Sequence, residues 1–197
     1  MPQSPDITCP IVCILAGGQS TRMGGIDKAI ITIHGERMID VVINRLRPQA
    51  GFIVISGPDD KATGLTCLPD DPAGPRGPTA ALWSVCKWMN HYHPDATGFY
   101  TVPVDAPLFP SDLIARLTNP NVCTIARDTT STHPTFAYWD TQILRSAFDK
   151  IGPGQNPAIH RLAEFCNAKQ VLFGAGAFTN INTPADLERV EHKTGSP

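Results

Sequence analysis

Residues 10–29 read PIVCILAGGQSTRMGGIDKA and carry the strongest structural signal in the chain. The first part, residues 11–15, is apolar and rich in β-branched side chains, which is typical of a buried strand in a parallel sheet. A loop with four glycines and the cations Arg22 and Lys28 follows at once. Glycine lets backbone N–H groups approach a polyphosphate because it lacks a Cβ, and cations balance phosphate charge. We therefore interpret the segment as a strand that leads into a phosphate-binding loop.

Two common phosphate-binding motifs do not fit this loop. The dinucleotide motif G-x-G-x-x-G fails because Gly17 and Gly18 are adjacent and the next glycine is Gly24. The P-loop motif G-x-x-x-x-G-K-[ST] fails because Lys28 follows Asp27. The loop therefore belongs to another class of phosphate site, and the simpler alternative is a surface loop after a core strand.

Composition and charge restrict the class of protein. The 197 residues suit one domain, which we expect to span residues 1–197 with mobile ends at 1–10 and 193–197. Apolar residues make up 42% of the chain and the net charge is −2, so a large core is expected and a nucleic-acid partner is not. We expect no membrane segment, because no apolar run reaches the roughly 18 residues that a membrane helix needs.

The cysteines and the first residues indicate the compartment. The six cysteines are scattered and form no C-x-x-C pair, so reduced thiols are expected. The first ten residues lack the basic and apolar regions of a signal peptide. We therefore predict a cytoplasmic protein.

Strand patterns alternate with helix patterns along the chain. Strands are predicted at 11–15, 52–55, 65–68, 98–104, 122–126, 134–139 and 171–173. Helices are predicted at 38–46, 78–89, 112–117, 141–150, 157–166 and 184–192. This order predicts an α/β protein with a three-layer, Rossmann-like fold and a mostly parallel central sheet.

Two polar features outside the opening loop are candidates for ligand contacts. Asp105 follows the predicted strand 98–104, and open α/β sheets bind ligands at the carboxyl ends of their strands. Mg²⁺ on a nucleotide usually takes one or two carboxylates, so Asp105 is the best metal-ligand candidate, with a turn or cap as the alternative. Asn180 and Asn182 project from the same side of an extended segment, where their amides either read a ligand or cap the next helix.

The opening segment resembles the signature of the nucleotidyltransferases that build nucleotide-linked cofactors and sugars. The matching positions are Leu15-Ala16-Gly17-Gly18, Ser20, Arg22-Met23-Gly24 and Asp27-Lys28-Ala29. Within that superfamily, the double glycine and the Asp27-Lys28 pair are most similar to molybdenum cofactor guanylyltransferase. The resemblance implies the nucleotidyltransferase fold, Mg²⁺ as cofactor, and transfer of GMP from GTP to the phosphate of Mo-molybdopterin with release of pyrophosphate.

The resemblance also implies a role for individual residues. The implied GTP-binding residues are Leu15, Ala16, Gly17, Gly18, Lys28, Ser56, Asp70 and Asp105. The implied pterin-binding residues are Gly77, Pro78, His133, Asn180 and Asn182. The implied catalytic residues are Arg22, Lys28 and Asp105, with Asp105 as the metal ligand.

Some positions leave the family pattern or leave a choice open. Ala81 stands where the family usually has glycine, and Ser56 stands where it more often has asparagine. The resemblance implies an acidic residue near the nucleoside, for which Asp70 and Asp71 are the candidates. The spacing to Gly77 favours Asp70, and a simple Asp-Asp-Pro turn is the alternative.

Two other functions stay open at this point. Relatives that use CTP tend to read Leu-Ala-Ala-Gly at residues 15–18, so the alternatives include a cytidylyl- or sugar-nucleotidyltransferase of the same superfamily. A non-catalytic nucleotide-binding protein on the same scaffold is the other alternative. Molybdoenzyme chaperones or apo-enzymes are the further partners that the resemblance implies.

Overall fold

A central sheet of seven strands organises the part of the chain that the computed structural model describes, residues 9–17, 27–152 and 154–194. The strands are β1 (Ile11–Leu15), β2 (Thr32–Ile33), β3 (Glu36–Arg37), β4 (Phe52–Ser56), β5 (Thr66–Leu68), β6 (Gly98–Pro103), β7 (Thr124–Arg127), β8 (Thr132–Asp140) and β9 (Lys169–Leu172). The helices are α1 (Met38–Leu46), α2 (Ala80–Tyr92), α3 (Leu113–Leu117), α4 (Thr141–Ile151), α5 (Ile159–Phe165) and α6 (Pro184–Thr194). Two 3₁₀ helices cover Lys28–Ile30 and Gly77–Thr79.

The strand order brings the carboxyl ends of four parallel strands, β1, β4, β5 and β6, to the same end of the sheet. The sheet runs β5-β4-β1-β6-β8-β7-β9, while β2 and β3 form a separate two-stranded pair. The pairs β5–β4, β4–β1, β1–β6 and β7–β9 are parallel, and β8 is antiparallel to both of its neighbours. The predicted three-layer fold with a mostly parallel sheet is therefore confirmed. The loops that follow β1, β4, β5 and β6 meet at the same edge.

Helices cover both faces of this sheet. Val12 and Ile14 of β1 belong to the apolar cluster that α1 and α3 complete. Ile11 and Cys13 belong to the opposite cluster, which α2, α4 and α5 complete. All four side chains are buried, which explains why β1 reads as an unbroken apolar run.

The ends of the chain lie partly outside the described residues. Residues 1–8 and 195–197, which include most of both predicted mobile ends, are among those not described. Pro10 lies within the described residues, and its carbonyl accepts the N–H groups of Gly51 at 3.0 Å and Phe52 at 3.2 Å. The mobility of the two ends stays a prediction. Helix α6 continues past the predicted end at 192 to Thr194. No helix within the described ranges is long and apolar enough to cross a bilayer.

Candidate active site

A cleft of about 650 Å³ opens at the carboxyl ends of β1, β4, β5 and β6. This volume lies in the range of small-ligand sites, roughly 300–1,000 Å³. The cleft brings together nine of the predicted site residues: Leu15, Ala16, Gly17, Lys28, Ser56, Asp70, Gly77, Pro78 and Asp105. The parallel order of the strands explains this convergence, because each residue follows or ends a strand at the same edge or opens a helix there. Gly18 and Arg22 lie outside the described residues.

Three predicted residues from distant parts of the chain meet at Lys28. Its Nζ lies 2.8 Å from Asp105 Oδ2 and also donates a hydrogen bond to Asn182 Oδ1. The side chains of Lys28 and Asp105 keep 19% and 27% of their surface exposed, so both can be reached by a ligand in the cleft. The Ile181 N–H donates to the Asp105 carbonyl at 2.7 Å, which ties the two segments together. The arrangement offers one cation, one carboxylate and one amide at a single point.

The local sequence fixes the backbone of Lys28. Asp27 is the N-cap of the 3₁₀ helix Lys28–Ile30, and its Oδ1 accepts the Ala29 N–H at 3.0 Å. Ala29 is fully buried, so the turn is anchored in the core beneath it. A short side chain with an oxygen acceptor suits this cap, since it satisfies a donor that the helix start leaves unpaired.

A second cap fixes the backbone of Asn182. Asp186 in the first turn of α6 accepts the N–H groups of Asn182 at 3.1 Å and Thr183 at 3.0 Å through Oδ2. The Thr183 hydroxyl accepts the Asp186 N–H in return, at 3.2 Å. Hydrogen bonds from the Thr183 hydroxyl and the Asn182 N–H hold the pKa of Asp186 below its usual value. The Asn182 backbone is thus part of a helix cap, while its side chain is left to contact Lys28. Asn180 is exposed and does not line the cleft.

His133 is held by its own loop rather than brought into the cleft. Its Nε2 lies 3.1 Å from Asp128 Oδ2 and 3.2 Å from the Ser131 hydroxyl. Hydrogen bonds from the N–H and hydroxyl of Thr130 and the N–H of Ser131 hold the pKa of Asp128 well below its usual range. Thr135, two positions along β8, does line the cleft. The pterin role of His133 therefore stays a prediction.

The structure separates the roles of Asp70 and Asp71. Asp70 is exposed and lines the cleft. Asp71 turns toward α2, where its Oδ2 accepts from Lys87 Nζ at 2.7 Å and from Trp83 Nε1 at 3.4 Å. Its N–H donates to the Ser84 hydroxyl at 2.9 Å. The Lys87 ammonium, first among these groups, lowers the pKa of Asp71. Asp71 thus anchors the loop, and Asp70 is the one of the two that lines the cleft.

The loop that carries Asp70 is also held by close packing. A Cβ placed on Gly74 would lie 2.3 Å from Trp83 Cδ1, so the backbone of the loop rests directly on the indole ring. The Arg76 N–H donates to the Asn156 side chain at 2.5 Å, immediately before Gly77. These contacts keep the two ends of the loop against α2 and the start of α5.

We expect Asp71→Ala to destabilise the protein, and Asp70→Ala to leave its stability unchanged. The first variant removes acceptors from Lys87, Trp83 and the Ala73 N–H, whereas Asp70 has no such contact with any residue that the structure describes. The melting temperature should fall by about 3–5 °C for Asp71→Ala and stay within about 1 °C for Asp70→Ala. Differential scanning calorimetry of the two variants beside the wild type measures both. Equal losses would contradict the division of roles.

The two positions that depart from the family pattern both lie at the cleft. Ser56 is buried, and its hydroxyl donates to the Ile14 carbonyl at 3.4 Å, so this hydroxyl is engaged inside the sheet. Ala81 lines the cleft near the start of α2, beside Gly77 and Pro78. The methyl group of Ala81 therefore forms part of the wall that a ligand would touch.

Sequence reasoning missed several residues at or beside the cleft, among them Thr135, Ile159 and Lys61. Thr135 of β8 and Ile159 of α5 line it, although nothing in their local sequence distinguishes them from core positions. Lys61 pairs with Asp27 at 2.8 Å and with Asp59 at 3.1 Å, and its side chain is 7% exposed. Lys61 lies in a polar turn, where a lysine side chain is ordinarily exposed, so its burial was not predictable from the local sequence.

The fold and the cleft define an α/β protein with a cleft of small-ligand size at the carboxyl ends of its parallel strands. The family model described as "MobA-like NTP transferase domain" matches residues 12–165, so the chain belongs to the MobA-like NTP transferase family. The predicted class, a nucleotidyltransferase of this family, is thereby confirmed.

Relatives agree with this assignment over nearly the whole chain. Molybdenum cofactor guanylyltransferase from Rhizobium meliloti is 35% identical over 200 residues, covering 93% of this chain and 91% of that protein. The protein of the same name from Cereibacter sphaeroides is 33% identical over 184 residues, covering 90% and 93%. The crystal structure of molybdopterin-guanine dinucleotide biosynthesis protein A from Archaeoglobus fulgidus shares the fold, with a TM-score of 0.70, 19% identity, and coverage of 94% and 98%.

Proposed function

We propose that this chain is a molybdenum cofactor guanylyltransferase, which transfers GMP from GTP to the phosphate of Mo-molybdopterin and releases pyrophosphate. The observation that carries the proposal is the meeting of Lys28, Asp105 and Asn182 at the cleft. Each comes from a different motif of the family resemblance, and together they supply charge compensation, a metal ligand and a neutral hydrogen-bonding group. The relatives that carry this name cover about nine-tenths of the chain.

The proposed nucleotide side of the cleft is built from the ends of β1, β4 and β6. Its residues are Leu15, Ala16, Gly17, Lys28, Ser56, Asp70 and Asp105, with Gly18 and Arg22 added from the sequence motif. The glycines allow backbone N–H groups to reach the phosphates, and Lys28 offsets their charge. Asp70, on the loop after β5, accepts hydrogen bonds from the nucleoside.

The residues present fit a divalent cation, which we take to be Mg²⁺. Asp105 lines the cleft, keeps 27% of its side chain exposed and already has a cationic partner, Lys28 Nζ at 2.8 Å, so we propose this carboxylate as the metal ligand. No group of three or more acidic, His or Cys side chains clusters within the described ranges. Mg²⁺ bound with a nucleotide usually takes only one or two carboxylates and completes its shell with phosphate oxygens and water, so Asp105 is the protein ligand that we propose. When bound, Mg²⁺ supplies charge compensation to the phosphates and to the leaving pyrophosphate.

The proposed reaction needs alignment more than proton transfer. A terminal phosphate oxygen of Mo-molybdopterin attacks the α-phosphorus of GTP. A new P–O bond forms, the bond to the bridging oxygen breaks, and pyrophosphate leaves with that electron pair. The attacking phosphate is already ionised at neutral pH, since its second pKa is about 6, so no general base is assigned. Lys28 holds phosphate oxygens and stabilises their charge, and this preorganised charge is the main contribution of the chain.

The proposed pterin side has two residues in the cleft lining, Gly77 and Pro78, and three outside that lining. It consists of Gly77, Pro78, His133, Asn180 and Asn182. Asn182 accepts a hydrogen bond from Lys28, so we propose that its side chain contacts the pterin substrate close to the phosphates that Lys28 holds. Amides suit a pterin because they match its donors and acceptors without adding charge. Molybdoenzyme chaperones or apo-enzymes would receive the product in the cytoplasm, where the six free cysteines also fit.

Calorimetric titration of GTP, CTP and ATP with Mg²⁺ tests the nucleotide specificity. We expect GTP to bind at least about tenfold more tightly than the other two, a difference of about 1.4 kcal/mol. Mo-molybdopterin is then added to the GTP complex and pyrophosphate is measured. A preference for CTP would replace the proposal by cytidylyl transfer. GTP binding without pyrophosphate release would replace it by a non-catalytic binder.

A further inference from the structure

A buried lysine lies beside the cleft and has no part in the proposed reaction. Lys61 Nζ is 2.8 Å from Asp27 Oδ2 and 3.1 Å from Asp59 Oδ2, and only 7% of its side chain is exposed. Burying an ammonium group is costly unless partners compensate it. Burial lowers the pKa of Lys61, but the hydrogen bonds that its ammonium donates to Asp27 and Asp59 raise it by more, so the charged form is favoured.

The turn that presents Lys61 is tightly built. Lys61 itself adopts a left-handed conformation with φ of 54°. The Asp59 carboxylate accepts the Lys61 N–H at 3.0 Å, and the Asp60 carboxylate accepts the Ala62 N–H at 3.1 Å. On the other side, Arg37 Nη1 donates to the Lys61 carbonyl at 2.7 Å, at the start of α1. These bonds hold an unfavourable backbone conformation and direct the side chain toward Asp27.

The carboxylate of Asp27 requires a positively charged partner such as Lys61. Its Oδ1 caps the turn that carries Lys28, so an oxygen acceptor is required at this position. The same carboxylate lines the cleft and keeps 37% of its side chain exposed. An uncompensated negative charge there would repel a triphosphate.

We infer that Lys61 is a positioning residue that neutralises Asp27, so that Asp27 caps the Lys28 turn without repelling the nucleotide phosphates. The inference rests on the proposed function, because it takes the anion in the cleft to be a nucleoside triphosphate. Lys61 acts through Asp27 and does not touch the substrate. It adds a residue to the site that lies outside the opening motif.

The charge of the ligand decides the expected result of Lys61→Met. We expect GTP affinity to fall by about tenfold, because the freed carboxylate faces the full charge of the triphosphate. The loss should shrink from GTP to GDP to GMP, as the ligand loses negative charge. Isothermal titration calorimetry at low salt measures the affinities for GTP, GDP and GMP. Lys61→Arg keeps the positive charge and should therefore bind each nucleotide nearly as tightly as the wild type. A loss of the same size for all three ligands would overturn the inference.

A double-mutant cycle separates charge compensation from a purely structural role. Asp27→Asn removes the negative charge and keeps an oxygen that can accept the Ala29 N–H. In that background we expect Lys61→Met to change GTP affinity by less than about twofold. Asp27→Asn alone should bind GTP at least as tightly as the wild type. This measurement tests the charge of Asp27 directly, even if the Lys61→Met protein does not fold. An equal loss in both backgrounds, or a large loss for Asp27→Asn alone, would overturn the inference.

A matched control removes the same formal charge far from the cleft. Lys169 lies on the exposed strand β9, at the opposite side of the sheet from β4 and β5. Lys169→Met should therefore leave GTP affinity unchanged. If the wild type binds no nucleotide, the proposed function fails and the inference fails with it. If the wild type binds GTP and the cycle shows no coupling, the inference alone fails.

Discussion

Replacing Lys28 by alanine should lower the rate of pyrophosphate release by about a thousandfold or more, while the protein stays folded. Lys28 lines the cleft, and its Nζ lies 2.8 Å from Oδ2 of Asp105, the proposed metal ligand. Without it, the charge that builds up on the phosphates during transfer has no fixed counter-charge from this turn. The loss should appear mainly in kcat, because the interaction strengthens as the charge moves.

The stability of Lys28→Ala distinguishes this role from a structural one. A partly exposed ion pair contributes on the order of 1 kcal/mol or less, and Asp105 remains accessible to water when Lys28 is removed. The melting temperature should therefore change by no more than about 4 °C. Lys169→Ala, on the exposed strand β9, is the matched control, with normal turnover expected. Normal turnover in Lys28→Ala, or an unfolded variant, would count against the assignment.

The sequence predicted much of this site because parallel sheets have a simple geometry. Asp105 ends a predicted strand and Lys28 follows another, and parallel strands bring such ends to one edge. The contact between them was not predictable from pattern alone. It depends on β6 pairing directly with β1, although the two strands are separated by α1, β4, β5 and α2 along the chain. Periodicity gives the type and the limits of an element, but not its neighbour in the sheet.

The family resemblance distinguished Asp70 from Asp71, which hydrophobic periodicity and turn preferences alone do not. Asp70 and Asp71 are adjacent acidic residues in a loop, and each fits an Asx turn. Spacing to Gly77 favoured Asp70, and the structure places Asp70 in the cleft lining. The partners of Asp71 lie on α2, so its anchoring role depends on how a loop folds back on a later helix.

Lys61 marks the limit of sequence reasoning in this chain. It stands in a run of aspartate, glycine and threonine that is typical of an exposed turn. Its burial arises because Arg37 and Asp27 reach the turn from two other segments. Contacts of this kind come from tertiary packing and have no local signature. The single-domain assignment of residues 1–197 and the roles of Gly18 and Arg22 stay predictions.

Asp105→Asn should abolish the dependence of GTP affinity on Mg²⁺ and lower turnover by about a thousandfold. The asparagine has nearly the same shape, and its side-chain oxygen still accepts from Lys28, so the contacts around Asn182 should remain. Its neutral amide is a much weaker ligand for a hard divalent cation than a carboxylate. GTP titrations with Mg²⁺ and with EDTA should therefore differ clearly for the wild type and coincide for the variant.

A second carboxylate provides the control for this experiment. Asp112 precedes α3, and its side chain is 59% exposed beside Arg116, outside the cleft lining. Asp112→Asn removes the same charge and should keep the full difference between the Mg²⁺ and EDTA titrations. If Asp105→Asn kept that difference too, the metal would be held by other groups. The 2.8 Å contact with Lys28 would then be the main role of Asp105, which would make it a positioning residue for the cation.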